Sequence, residues 1–169
     1  DSKIDKQFSQ EGKEIPILNP ISSDLDVLRR SIFSNLSIHL KKNQDRGYED
    51  LSFFEIGPTF FGKTPGEQQI VVGAMKSGKI SRKSWIEKER NIDVFDIKSD
   101  AVRTLIELGI SEDDLFISDS SKHYYHPGRS GSITLKSEKG RILAYFGELH
   151  PAIIKGLDFK EPNIYGMEI

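Results

Sequence analysis

Leu51-Ser52-Phe53-Phe54-Glu55-Ile56-Gly57 and Gln69-Ile70-Val71-Val72-Gly73-Ala74-Met75 are runs rich in β-branched and aromatic residues, and the link between them decides the fold. The first closes on Gly57-Pro58, with Thr59-Phe60-Phe61 continuing it beyond a kink or bulge. Thr64-Pro65-Gly66 is a turn signal. Two strands joined by so short a polar loop have to be antiparallel, because a parallel crossover needs about a dozen residues or more.

Upstream, Ile15-Pro16-Ile17-Leu18-Asn19-Pro20 is expected to be extended, since each proline drives its predecessor out of the helical region. Ser22 and Ser23 offer an N-cap, and Leu25, Leu28, Ile32, Phe33, Leu36 and Leu40 form a helical stripe ending near Lys41, Lys42, Arg46 and Gly47. The residues before this, 1–14, read as a polar lead-in able to move, and 15–169 as one core module.

Downstream, Val94-Phe95-Asp96 reads as a short strand or strand end leading into a second helix. That helix carries Ile97, Ala101, Leu105 and Leu108 on its apolar side and stops at Gly109. Leu115 to Ser118 is a strand, and His123 to Arg129 a loop. Gly131 to Lys136 and Arg141 to Glu148 are strands joined by the turn Ser137-Glu138-Lys139-Gly140. His150-Pro151 opens a short helix ending near Gly156, and Asn163 to Ile169 is a final strand. Few helices and many strands, mostly linked by hairpins, predict an α+β fold on a mixed, largely antiparallel sheet flanked by helices.

The chain's 169 residues suit one domain with its own core. Its 24 basic and 26 acidic residues leave a net charge of -2, which excludes a strongly basic chain held mainly by a phosphate backbone. With no cysteine, disulfides, thiolate zinc sites and a cysteine nucleophile are excluded, and a reducing cytosol is compatible. No apolar run approaches the 18 or so residues of a membrane helix, and Asp1 to Lys6 is too polar for a secretory signal. The first residue is not methionine, so a processed chain or a piece of a longer one is expected.

Candidate chemistry is sparse. His123, His126 and His150 with Glu148 are the only grouping worth weighing as a metal site. The His123–His126 spacing falls in a loop with Pro127 and Gly128 and not on a helix face, so no metal is expected. His39 lies mid-helix as a surface or boundary residue. Gly128-Arg129-Ser130-Gly131 has the wrong spacing for a nucleophile elbow, and Gly78-Lys79 is followed by Ile80, unlike a phosphate loop. Lys79 to Arg90 holds five basic and two acidic residues around Trp85, a weak candidate for RNA contact. Composition and spacing alone show no catalytic constellation.

Several segments taken in order carry more. Asn19-Pro20-Ile21-Ser22, Leu28-Arg29-Arg30-Ser31-Ile32, Phe53-Phe54-Glu55-Ile56-Gly57, Trp85, Val94-Phe95-Asp96-Ile97-Lys98, His126-Pro127-Gly128-Arg129-Ser130 and Gly147-Glu148-Leu149-His150-Pro151 are followed by the strand Asn163 to Glu168. Together they resemble the β-subunit family of bacterial phenylalanyl-tRNA synthetases from about Ile15 to the end. Ser99 and Gly131 depart from the family pattern, standing where a glycine and an alanine are usual.

The resemblance implies a module with the antiparallel fold of class II synthetase catalytic domains, itself catalytically silent. It implies a cytoplasmic (αβ)2 enzyme that uses ATP and magnesium to attach phenylalanine to its tRNA, with the active site on the α subunit. Editing, magnesium-holding and anticodon-binding domains would lie outside this stretch. No cofactor, catalytic residue, membrane or DNA partner is expected for the module itself. A class II site needs a motif 2 arginine for the ATP α-phosphate, and Phe53-Phe54-Glu55-Ile56 offers none. The last strand, Tyr165 to Ile169, is followed by no motif 3 helix in this stretch. Arg29, Arg30, Glu55, His126, Pro127 and Gly128 are the candidate subunit-interface or structural residues. Exposed aromatics are expected near Phe60 and Phe61 and at Tyr124 and Tyr125. The alternative function is a stand-alone RNA-binding module using residues 79–90.

Overall fold

The computed structural model describes residues 1–9, 14–80, 85, 88–137 and 140–169. Its main sheet has the strand order β3-β4-β8-β7-β6-β5, formed by β3 (Leu51–Phe60), β4 (Gln68–Ser77), β5 (Leu115–Ser118), β6 (Tyr125–Leu135), β7 (Ile142–Leu149) and β8 (Ile164–Glu168). Every pairing among the described residues is antiparallel. The deciding hairpin forms in continuous register from Leu51↔Ser77 to Phe60↔Gln68, with Pro58 inside it. Pro58 is tolerated because β3 is an edge strand, where a missing backbone donor costs no ladder bond. The wholly buried β8 lies between β4 and β7, so the last strand of the chain is central in the sheet.

Helices cover both faces. On one, α2 (Phe33–Asp45) buries Phe33, Leu36, Leu40 and Gln44, the i, i+3, i+4 spacing of an amphipathic helix. Gly47, at φ 88°, supplies the left-handed residue that ends it. On the other, α3 (Val94–Glu107) buries Ile97, Ala101 and Leu105 against Ala74, Phe146 and Met167. The short α4 (Pro151–Gly156) starts with His150, whose Nδ1 accepts from the Ala152 N–H at 3.1 Å, and Pro151 occupies the first helical position.

Two glycines set how closely α2 approaches the sheet. A Cβ on Gly73 of β4 would run into the Ile32 side chain, and one on Gly166 of β8 would come within 2.8 Å of the Phe33 ring. Ile32 and Phe33 are fully buried and have nowhere to retreat. Around Phe33 the rings of Phe8, Tyr124 and Tyr125 pack edge to face with centroids 5.8 to 6.0 Å away.

Three local expectations are corrected. The helix expected after Ser22 and Ser23, α2, begins at Phe33 and not near Asp24: Val27–Leu28 forms β2, paired antiparallel with β1 (Ile15–Pro16), and Leu25 is exposed. Long-range pairing overrides a stripe that fits the helical period. Val94-Phe95-Asp96 is the first turn of α3, because Asp93 caps it and Asp96 reaches back to the Asp93 N–H at 2.9 Å, a capping box. The lead-in is part of the fold over its first nine residues. Ser2–Phe8 forms α1, Asp1 caps it, and Phe8 and Asp5 are buried.

Asp5 fastens that helix. Its carboxylate accepts from the Arg30 backbone N–H at 2.9 Å, Arg30 Nε at 2.7 Å and Ser34 Oγ at 3.1 Å. Two predictions come from this packing. Gly166→Ala should lower stability by about 2 kcal/mol through overpacking against Phe33, read as an earlier urea midpoint; an unchanged midpoint would show that Phe33 can give way. Asp5→Asn should cost about 3 kcal/mol by taking the charge from a buried ion pair, with near-ultraviolet dichroism of the Phe8–Tyr124 cluster lost first on heating.

Candidate functional site

The segments singled out in the sequence meet in pairs. Arg29 lies along the outer edge of β3, where its Nε donates to the Pro58 carbonyl at 2.8 Å and its guanidinium pairs with Glu55. The Phe60 N–H donates to the Arg29 carbonyl at 2.9 Å, so the same residue covers part of the strand's open edge. Arg30 is held by Asp5 as described. Both arginines are thus mostly buried in internal ion pairs, and Glu55 belongs to one of them.

His126-Pro127-Gly128-Arg129 is a bulge inside β6 and not a free loop. Tyr125 pairs with Leu149 and Ser130 with Gly147, so four residues of β6 face the single residue Glu148 of β7. The Gly128 N–H donates to His126 Nδ1 at 3.0 Å, and Ser130 Oγ donates to the His126 carbonyl at 2.6 Å. Pro127, with no N–H to offer, fits a bulge. The bulge turns Arg129 back onto Glu148, with Nε–Oε2 at 2.6 Å and Nη2–Oε1 at 2.8 Å, a two-pronged ion pair on a buried carboxylate. Burial, reinforced by the nearby Glu148 charge, raises the Tyr165 hydroxyl above its usual range.

Charge neutralisation extends across the sheet. The strands carry one lysine and one arginine, Lys76 and Arg129, and each is paired, Lys76 with Asp100 of α3 and Arg129 with Glu148. Lys122, next to β8, is paired with Glu168 at 2.6 Å. Among the described residues, no group of three or more His, Asp or Glu is placed to hold a metal ion. His126 and His150 instead take backbone N–H bonds on Nδ1. No helix of the described residues is long and apolar enough to cross a membrane.

The β3–β4 hairpin carries one group of exposed apolar side chains. α3 lies over β6, β7 and β8 and meets the hairpin at Ala74 and Lys76 of β4, while Phe54 stays 75% exposed, Ile56 62% and Ile70 68%. Where the helix ends, a groove of about 460 Å³ runs between Phe54, Met167, Asp100 and Arg103. Phe61 is exposed as expected, whereas Tyr124 and Tyr125 are corrected: both are buried against Phe8 and Phe33. Sequence reasoning missed Asp5 and the apolar hairpin face. Ile4 and Phe8, four residues apart behind Asp1, were the available signal for the first; alternation at Phe54 and Ile56 was the signal for the second. Of the basic 79–90 segment, residues 81–84 and 86–87 lie outside the described residues; Lys79 is paired with Glu89, Arg90 with Asp96, and Trp85 is exposed.

Comparison with known proteins agrees with this architecture. The chain is similar to the phenylalanine–tRNA ligase beta subunit of Rhodospirillum rubrum, 41% identical over 167 residues, covering 98% of this chain and 20% of that protein. It is 38% identical to the corresponding subunit of Paramagnetospirillum magneticum over 162 residues, covering 96% of this chain and 20% of that protein. The chain therefore spans about a fifth of the length of these curated relatives. Among solved structures, a pyrrolysyl-tRNA synthetase from Desulfitobacterium hafniense superposes with a TM-score of 0.65 at 15% identity, covering 99% of this chain and 56% of that one. A second structure of that synthetase gives 0.59, also at 15%, covering 89% and 49%. At this identity the likeness is one of fold, that of class II synthetases. Residues 1–169 match the family model described as the phenylalanyl tRNA synthetase beta chain CLM domain, and the chain belongs to that family.

Proposed function

We propose that this domain is a non-catalytic assembly module of the β chain of a cytoplasmic phenylalanine–tRNA ligase. In the whole (αβ)2 enzyme, ATP and magnesium serve the charging of phenylalanine tRNA at a site on the α subunit. The observation that supports silence most directly is the pairing of the strand cations, Lys76 with Asp100 and Arg129 with Glu148. Adenylate formation places negative charge on phosphate oxygens, and that charge is stabilised by cations aimed at it before the reaction. A cation already bound to a carboxylate contributes little to such a task.

The partner on this reading is the α subunit, and the surface offered to it is the apolar hairpin face of Phe54, Ile56 and Ile70. An exposed apolar strip beside a groove is the usual core of a protein interface, with polar residues at its rim. Arg29, Arg30, Glu55, His126, Pro127 and Gly128 act as structural residues: Arg29 and Glu55 hold the edge of β3, Arg30 fastens α1 through Asp5, and His126, Pro127 and Gly128 shape the bulge of β6. RNA contact through residues 79–90 is kept as a second reading because Trp85 is 94% exposed, which suits base stacking.

Co-expression with the α subunit separates the two readings. The assembly role calls for a stable complex with α, for Phe54→Asp with Ile56→Asp to lower the complexed fraction at least about tenfold, and for no ATP–pyrophosphate exchange by the chain alone. A chain that ignores α yet binds generic RNA with a steep salt dependence would favour the second reading. Exchange activity in the chain alone would overturn both.

A further inference from the structure

On the face of the sheet covered by α2, one row of side chains crosses three strands. Ser132 of β6 is directly opposite Tyr145 of β7, which is opposite Glu168 of β8. Glu168 is buried, and its Oε1 accepts from two donors, the Tyr124 hydroxyl and the Lys122 ammonium at 2.6 Å. The same ammonium lies 4.6 Å from the centre of the Tyr145 ring and 5.7 Å from that of Tyr124. A carboxylate flanked by aromatic faces binds ammonium groups through a charge-assisted hydrogen bond and cation–π attraction together.

Two further polar groups lie on this face, Ser132 in the row itself and Tyr125, opposite Leu149, nearer the start of β6. The Tyr125 hydroxyl and Ser132 Oγ are buried and have no hydrogen-bond partner among the described residues. Unpaired polar atoms at such depth are rare, and each calls for a partner. Burial, with the Glu168 charge adding to it, raises the hydroxyls of Tyr125 and Tyr145 above their usual range. They therefore stay neutral near pH 7 and keep lone pairs able to accept. A cavity of about 210 Å³ opens beside the row, lined by Gln69, Val71, Lys122, Leu143, Tyr145 and Glu168. Lys122 sits at its mouth on a flexible stem, 40% exposed, so its head group can swing into solvent without disturbing the strands.

We propose that Glu168, Tyr145 and Tyr124 form a recognition site for the primary ammonium group of a small organic amine, and that Lys122 is its displaceable resident occupant. At rest Lys122 neutralises Glu168 and forms part of the cavity wall. An incoming amine takes over the carboxylate and the ring face that Lys122 holds at rest. The cavity's size limits the rest of the ligand to a short body, and Val71 and Leu143 favour an apolar one.

Propylammonium chloride is the probe, titrated by calorimetry and by ligand-observed NMR into the whole chain that carries these residues. Lys122→Met keeps the apolar stem and removes the competing charge; Lys122→Ala removes both, and the comparison stands on the first if the second does not fold. Both variants should bind propylammonium about tenfold more tightly than the unaltered chain. 1-Propanol, of the same shape without the charge, should not bind, and adding Glu168→Gln to Lys122→Met should abolish binding. Equal affinity in Lys122→Met and the unaltered chain, binding that survives Glu168→Gln, or equal binding of propanol would each overturn the site.

Discussion

The contact between the start of α2 and the bare backbone of β4 and β8 carries the rest of the structure. Ile32 and Phe33 reach the sheet only because Gly73 and Gly166 present no side chain beneath them. Phe33 then becomes the hub on which Phe8, Tyr124 and Tyr125 converge edge to face. Through Phe8 the N-terminal helix is drawn into the core, and through Tyr124 and Tyr125 so is the segment that opens β6. A close-packed interior transmits any change of volume, so the spacing set at two glycines governs the position of three separate elements.

Electrostatics follow the same economy. Arg29, Arg30, Lys76, Lys122 and Arg129 come from distant parts of the chain, and each meets a carboxylate from another element. These pairs are more buried than ordinary surface bridges: Asp5, Glu148 and Glu168 are all buried. Ion pairs of this kind add little net stability over apolar packing, yet breaking one leaves a charge in a poor solvent. They therefore act as register pins between elements far apart in the chain. Lys122 and Arg129 keep part of their side chains in solvent while the carboxylates they hold are buried.

Much of the fold was legible because its signals are local. The hairpin of β3 and β4 is written in two β-rich runs around a short turn, α3 in Ile97, Ala101 and Leu105, and α4 in His150-Pro151. Where reading failed, a distant partner decided. The stripe from Leu25 to Leu40 obeys the helical period, but residues 27 and 28 pair with 15 and 16, and the Arg30 N–H is bound to Asp5. Tyr124 and Tyr125 stand in a polar stretch that suggests exposure, and only the Phe33 hub shows why they are buried. The candidate residues were legible as a set, yet the sequence held no sign that Arg29 pairs with Glu55 or Arg129 with Glu148.

What the sequence alone determined was the class of fold, the order of most elements and the ordered segments that mark the family, because periodicity, turn chemistry and motif order are properties of neighbouring residues. Tertiary structure decided where the first long helix begins, which aromatics are buried, which cation each carboxylate holds, and that the hairpin's Phe54 face stays uncovered. Those outcomes depend on contacts between residues dozens of positions apart, and the energy of such a contact exists only once the chain has brought both partners together.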